Sequence, residues 1–468
     1  MSRRKTNRIE EVEVTGIAHK SYVVGRTDEG LVVFTKNALP GDRVQVSLNK
    51  KRKGIFEGKV TNIIFPSPWR VEPVCSHYGV CGGCSMQDLS IEEQLRQKSK
   101  LVLDAFHRIA KISDFEFEPI LACLAQYAYR NKMDFTFATD RWKTKEEWES
   151  EDKTNTLPAL GFHRPESFHK VVHIHQCHLQ ISISNQIRNF VWSFAIENNW
   201  TFYNIKKHEG WLRNLMIRTN REAKAMLILS VNQEDKEKIK SLFEALKLKF
   251  PEVVSLFYTI NSKLNDAWSD LDMIHYSGAK YLQESLDHVN YFISPKSFFQ
   301  TNTSQAERLY RIVKEYAEPN PNEVIYDLYC GVGSIGLYLA KDAKMIIGIE
   351  QIEEAIEDAK YNANHNALSN CHFFAGDTKK VLQADFYTKY GKADTVILDP
   401  PRSGLHDAVI QQVLELAPQK IVYVSCNPAT QARDISMLES AYKLTKLRPV
   451  DMFPNTHHVE SVAQLIKK

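Results

Sequence analysis

"DLYCGVGSIGLYLA", residues 327–340, decides the fold. An apolar run ends at Leu328, and Gly331, Gly333 and Gly336 then spell GxGxxG before a second apolar run. Glycines let a backbone turn tightly and approach a ligand, and the helix start that follows presents oriented N–H groups. Working outward, apolar strands alternate with helical stretches: "EVIYDLY" (323–329), "MIIGIE" (345–350), "NCHFFAGD" (370–377), "DTVILDPP" (394–401) and "KIVYVSCN" (420–427). This alternation predicts a parallel sheet with crossover helices from about residue 291 onward.

The chain of 468 residues is long enough for several domains, and 43% hydrophobic with 25% charged residues is ordinary for a globular protein. No run of about 18 apolar residues occurs, so no membrane span is expected. The start, "MSRRKTNRIEEVEV", lacks the apolar core of a secretory signal, and a cytoplasmic address follows. Residues 1–70 hold 14 Lys/Arg against 7 Asp/Glu, with "NKKRKG" at 49–54, a balance suited to a phosphate-rich partner such as RNA or to a merely solvated tail and loop. Short alternating runs over residues 10–65 predict a small β-barrel, and "FPSPWRVEP" (65–73) a linker. Helical spacing predicts a helix over 91–112. "NKMDFTFATD" and "LPALGFHRPESF" read as two strands, joined by an exposed loop over 141–156.

In parallel sheets ligands bind beyond the carboxyl ends of the strands, where several motifs fall. Glu350 ends a strand 19 residues after Gly331, placed for ribose hydroxyls. A dinucleotide or S-adenosylmethionine fits equally, which keeps an NAD-dependent oxidoreductase in view. Asp327 favours the second ligand, because a carboxylate takes the amino group of a methionine moiety and repels a pyrophosphate. Asp377 is expected near the adenine end. Asp399 precedes Pro400-Pro401, which stiffens the chain and holds the carboxylate at a fixed point. In "VSCNPAT", Cys426 ends a strand and becomes a nucleophile if it ionises, whereas Cys123, Cys330 and Cys371 read as packing. In "NTHHVES", the apolar flanks of Glu460 predict partial desolvation, which raises a carboxylate's pKa and improves it as a base.

A second constellation lies upstream. Cys75, Cys81 and Cys84 in "CSHYGVCGGC" bring three thiols together, and Cys177 in "HIHQCHL" can add a fourth. Spacing leaves zinc and an iron–sulfur cluster both open, with His173, His175 and His178 allowing a mixed zinc site.

Taken in order, "SFFQTN" (297–302), "DLYCGVG", "DPPRSG", "VSCNPAT" and "HHVES" resemble the RNA (uracil-5-)-methyltransferases, most closely the 23S ribosomal RNA branch. The resemblance implies an α/β multidomain chain. An OB-like, RNA-binding TRAM β-barrel would span 1–66, a central α+β domain with an iron–sulfur site 67–290, and a Rossmann-like methyltransferase domain 291–468. It implies that Gln300, Tyr329, Glu350 and Asp399 bind S-adenosylmethionine, that Cys426 is the nucleophile and that Glu460 is the proton acceptor. Cys75, Cys81, Cys84 and Cys177 would hold a 4Fe-4S cluster, with zinc the alternative. The implied substrate is a uridine of 23S rRNA, with tRNA as runner-up. Ser334 departs from the Asn that relatives often carry there. In "YRNKMDF" (129–135), Tyr129 could stack on a base and Arg130 and Lys132 reach phosphates, or the three could be the faces of a strand.

Overall fold

A computed structural model describes residues 8–18, 21–52, 54–150, 157–165, 167–268, 270–382 and 384–468. The alternating N-terminal runs become β1 (Arg8–Ile17), β2 (Val23–Arg26), β3 (Val32–Thr35), β4 (Arg43–Arg52) and β5 (Ile55–Phe65). They close a barrel in the order β1-β2-β3-β5-β4, with Val12, Val14, Val33, Val44 and Val46 inside. The first seven residues of the chain and the side chains of the basic run 50–53 lie outside the described residues.

The helix expected over 91–112 runs from Ile91 to Ala105, capped by Ser90, and continues as a wider π-type turn to Ala110. Lys111, at φ 58°, ends it. After the short β6 (Glu116–Phe117) come β7 (Lys132–Ala138), β8 (Ala159–Arg164), β9 (Ser167–His173), β10 (Leu212–Thr219), β11 (Ala225–Val231), β12 (Val253–Ile260) and β13 (Ile274–Gly278). These seven form one sheet, β13-β12-β11-β10-β7-β8-β9. The stretch taken for a loop carries a short helix, Lys145–Glu149, because Thr144 and Glu147 form a capping box; its residues 151–156 lie outside the described residues.

A hairpin of β14 (Leu282–Leu286) and β15 (Val289–Ile293) leads into the last sheet. There β16 (Val324–Leu328), β17 (Met345–Glu350), β18 (Cys371–Ala375), β19 (Thr395–Leu398) and β20 (Lys420–Ser425) run parallel. The final strands, β21 (Tyr442–Val450) and β22 (Glu460–Lys467), run antiparallel to each other, and β22 is antiparallel to β20. The order is β18-β17-β16-β19-β20-β22-β21-β6. Helices Thr303–Ala317, Ser334–Leu339 and Glu353–His365 cover one face, and helices Ile91–Ala105, Asp407–Leu416 and Pro428–Leu438 the other. Burial on both faces explains why these strands read as unbroken apolar runs.

Two features of this topology place the site. The order reverses between β16 and β19, which opens a crevice at their carboxyl ends. And because β22 runs against β20, its first residue lies at that same edge, with Ser461 opposite Ser425.

Candidate functional site

A cleft of about 1100 Å³ opens over this edge. Gln300, Tyr329, Glu350, Asp399, Cys426 and Glu460 all line it, and so do Cys75, Cys81, Cys84 and Cys177 at its far end. Four strand ends deliver the first group: Tyr329 follows β16, Glu350 closes β17, Asp399 follows β19 and Cys426 follows β20. Gln300 arrives on the segment before helix Thr303–Ala317, where Asn131 donates from Nδ2 to its carbonyl at 3.0 Å.

The glycine turn is built around a carboxylate. Glu350 accepts from the Gly331 N–H at 3.2 Å, from Gln351 N at 2.7 Å and from Ile352 N at 3.1 Å. It is thereby fixed at the cleft wall. Gly333 sits at φ 76°, and a Cβ there would stand 2.8 Å from the Phe373 ring, so only glycine lets the turn close on β18. Gly331 faces open space, with nothing within 4 Å of where its Cβ would be. Tyr329 holds φ 70°, a conformation that turns the chain into the glycine loop.

One sequence expectation fails here. Asp327 does not line the cleft: it is 1% exposed, and its Oδ2 accepts from Gly336 N at 2.9 Å, tying the helix to β16. Asp377 stands near enough to the cleft for its charge to act on the Tyr329 hydroxyl, and its carbonyl accepts from Lys380 N and Val381 N at the start of the short helix Thr378–Val381. Ser334 lines the cleft, but its hydroxyl accepts from Tyr310 at 3.0 Å.

The reacting half is acidic and poorly solvated. Burial pushes Asp399 up to about 7. Burial, helped by Asp399 and opposed by Arg402, pushes Glu460 up to about 8. Burial and the neighbouring carboxylates Glu460 and Asp399 push the Cys426 thiol up to about 11, while Arg402 pulls it back through its charge and a hydrogen bond to the sulfur. Arg402 is thus the cation facing both groups, and sequence reasoning missed it. Its loop is pinned from below: the Arg402 carbonyl accepts from Asn427 Nδ2 at 2.9 Å, and buried Asp434 accepts from Leu405 N at 2.7 Å and from the Tyr423 hydroxyl at 2.6 Å. The signal available was position, a cation directly after the rigid Pro400-Pro401 pair. Phe298 was missed too; it lines the cleft while 68% exposed, the mark of an aromatic waiting for a partner.

Asn427, which follows the thiol, caps helix Pro428–Leu438 by accepting from Ala429 N at 3.2 Å, with Pro428 in the first turn. The strand must stop where the helix begins, and Cys426 is the residue left at that corner.

The four cysteines are free thiols, and all four line the cleft. Burial pushes Cys81 up to about 12, and Cys177, Cys84 and Cys75 add to the shift. Among the described residues, no group of three or more His, Cys, Asp or Glu is arranged to hold a metal ion. The nearby histidines serve the backbone: His173 Nδ1 accepts from Leu160 N at 3.2 Å and His77 Nε2 from His175 N at 3.3 Å. Tyr129 is no stacking platform; it is 8% exposed and donates to the Pro454 carbonyl at 2.9 Å. Arg130 lines the cleft, and burial lowers half-buried Lys132 to about 8.

Comparison with known proteins adds the following. Residues 3–61 match the TRAM domain, and residues 277–468 match the tRNA (Uracil-5-)-methyltransferase family. A protein of Bacteroides thetaiotaomicron named an uncharacterized RNA methyltransferase is 44% identical, the alignment spanning 93% of this chain and 96% of that one. One of the same description from Porphyromonas gingivalis is 42% identical over 97% of this chain and 99% of its own. The Pyrococcus abyssi tRNA (uracil-54, C5)-methyltransferase, solved with S-adenosyl-L-homocysteine, superposes with a TM-score of 0.74 at 30% identity, covering 97% of this chain and 100% of that one. These likenesses replace the oxidoreductase alternative.

Proposed function

The chain belongs to the RNA (uracil-5-)-methyltransferase family, and on that premise we propose that it carries a methyl group from S-adenosylmethionine to carbon 5 of a uridine in 23S rRNA, through a transient bond between Cys426 and the base. The supporting observation is the meeting of Cys426, just past the end of β20, and Glu460, the first residue of neighbouring β22, at one sheet edge beside Asp399 and Arg402.

The cleft suits the methyl donor, with open space over Gly331 and a carboxylate held by three backbone N–H groups. Glu350 would take the ribose hydroxyls, with Gln300, Tyr329 and Asp399 completing the binding set. When bound, the donor supplies an electrophilic methyl on a sulfonium.

Carbon 5 of uracil is too weak a nucleophile to take that methyl unaided. The Cys426 thiolate, favoured by Arg402, adds to carbon 6, and the electron pair of the 5,6 double bond passes toward the carbon-4 oxygen. Carbon 5 then forms its bond to the methyl as the sulfur–methyl bond breaks. The Glu460 carboxylate removes the carbon-5 proton, the double bond re-forms, and the bond between Cys426 and carbon 6 breaks to return the thiolate. A base held in a stack cannot reach this corner, so the uridine is flipped out, with exposed Phe298 offering a face to stack against.

Cys75, Cys81, Cys84 and Cys177 would hold the 4Fe-4S cluster; a donor set of four thiols, with no disulfide among them, fits it. The methyl transfer needs no electron from it, so its place is structural. Iron determination and visible absorbance of anaerobically purified protein, with Cys84→Ser as control, test this assignment.

The ribosomal substrate is favoured by the barrel and the cysteine set together, the cytoplasm being its setting. The full-length likeness to a tRNA enzyme favours tRNA instead. Mapping 5-methyluridine in both RNAs, from cells with and without the protein, decides between them. The covalent route is tested with 5-fluorouridine RNA and methyl donor: a stable protein–RNA conjugate at Cys426 is expected, and its failure to form with an RNA that is otherwise methylated removes the mechanism.

A further inference from the structure

The loop 451–459 joins β21 to β22 and delivers Glu460. Glu460 pairs with Val450 of β21, and pairing to β20 begins one residue later, at Ser461. The direction of the Glu460 side chain therefore depends on the loop that precedes it.

That loop is tied at one residue more than at any other. Asn455 is fully buried at φ 65°, a conformation that asparagine tolerates better than most side chains. Its N–H donates to Gln94 Oε1 at 2.8 Å, and its carbonyl accepts from Ser85 N at 2.9 Å and Met86 N at 3.0 Å. Its Oδ1 accepts from Gln126 Nε2 at 2.9 Å and Gln94 Nε2 at 3.3 Å, while its Nδ2 donates to the Gln126 carbonyl at 3.1 Å. Three separate stretches of chain thus meet on one side chain and its peptide groups. Its neighbours carry fewer ties each: Asp451 accepts from Lys98 Nζ at 2.6 Å and donates from its N–H to the Leu121 carbonyl, the Met452 carbonyl accepts from Asn302 Nδ2 at 2.8 Å, the Phe453 carbonyl accepts from Lys98 Nζ and the Thr456 hydroxyl, and the Pro454 carbonyl accepts from the Tyr129 hydroxyl.

From this knot we infer that Asn455 is a positioning residue for the base: it fixes the loop so that Glu460 meets the proton on carbon 5. The inference rests on the roles proposed above for Cys426 and Glu460. It makes a distinction that general destabilisation does not. Cys426 stands at the corner between β20 and helix Pro428–Leu438, outside the loop, so loosening the loop leaves addition to the base intact and slows only the proton removal that frees the product.

The experiment is single-turnover methylation by the holoprotein of a uridine-containing RNA, following the covalent conjugate and released 5-methyluridine separately. Asn455→Ala removes the side-chain ties. Asn455→Gly also keeps the backbone at ease, and Gln126→Ala removes the partner amide while leaving Asn455 in place. With melting temperature and S-adenosyl-L-homocysteine affinity near the parent's, the conjugate is expected to form at the parent rate. Release is expected to slow by about ten- to a hundredfold, so that conjugate accumulates. Equal slowing of both steps, or of neither, overturns the inference. If the parent protein itself forms no conjugate while producing 5-methyluridine, the covalent mechanism fails and this inference fails with it; a parent conjugate with unchanged partition in all three variants overturns this inference alone.

Discussion

A carboxylate with a pKa near 8 is a poor base at neutral pH until it loses its proton, and this shapes what a pH profile will show. The rate of product release from the conjugate should climb from pH 6 and bend near pH 8 as Glu460 ionises. Arg402 opposes protonation of both Glu460 and Cys426, so Arg402→Gln should move the bend upward and lower the rate on its acid side. The same shift has a thermodynamic face. The folded protein holds the Glu460 proton more tightly than the unfolded chain, whose value is 4.5, so Glu460 weakens stability progressively as pH rises from there through about 8. Glu460→Gln should therefore melt higher than the parent at pH 8.5, by on the order of a few °C, with no gain at pH 4, as read by thermal scans. It should also be inactive in product release.

Elements were legible where burial leaves a pattern. The five parallel strands read as unbroken apolar runs because both faces are covered, and the barrel strands read as alternation because one face of each is wet. Glu350, Asp399, Cys426, Glu460 and the four cysteines were legible as local features, Gln300 and Tyr329 only through the family resemblance, and all ten line one cleft. Side-chain partners across the chain were not. Nothing in "DLYCGVG" says that Asp327 spends its oxygen on Gly336, nor does "YRNKMDF" say that Tyr129 turns inward to Pro454. Arg402 and Asn455 acquire meaning only through residues far away in sequence. The cap of helix Pro428–Leu438 is the exception, written in Asn427-Pro428 itself. Replacing Asn427 by alanine should cost about 1 kcal/mol of stability, measured by denaturant titration. It should also slow conjugate formation, because the Arg402 carbonyl loses its tie to the same side chain.

At the scale of the molecule, charge and connectivity matter most. Within the barrel region Arg8 pairs with Glu10 and Glu29, Arg43 with Glu11 and Asp28, and Arg70 with Asp42 and Asp88. The densest basic stretch of residues 1–70 is the run Lys50-Lys51-Arg52-Lys53. Neutralising Lys50, Lys51, Arg52 and Lys53 together should weaken RNA binding and reduce the slope of log affinity against log salt by up to about 3. A change confined to the chemistry would leave that slope alone.

The last sheet borrows from early in the chain. β6 pairs with the outer edge of β21, and helix Ile91–Ala105 with the turn after it lays Val102 and Phe106 on the face that holds Ala432 and Ile435. A truncation begun at residue 277, where the family match starts, would strip away both. Such a fragment would carry every group assigned to the reaction and yet bare a raw strand margin and a greasy flank. It is the version of this enzyme to expect in inclusion bodies, and a scissor cut placed before Ile91 is the remedy.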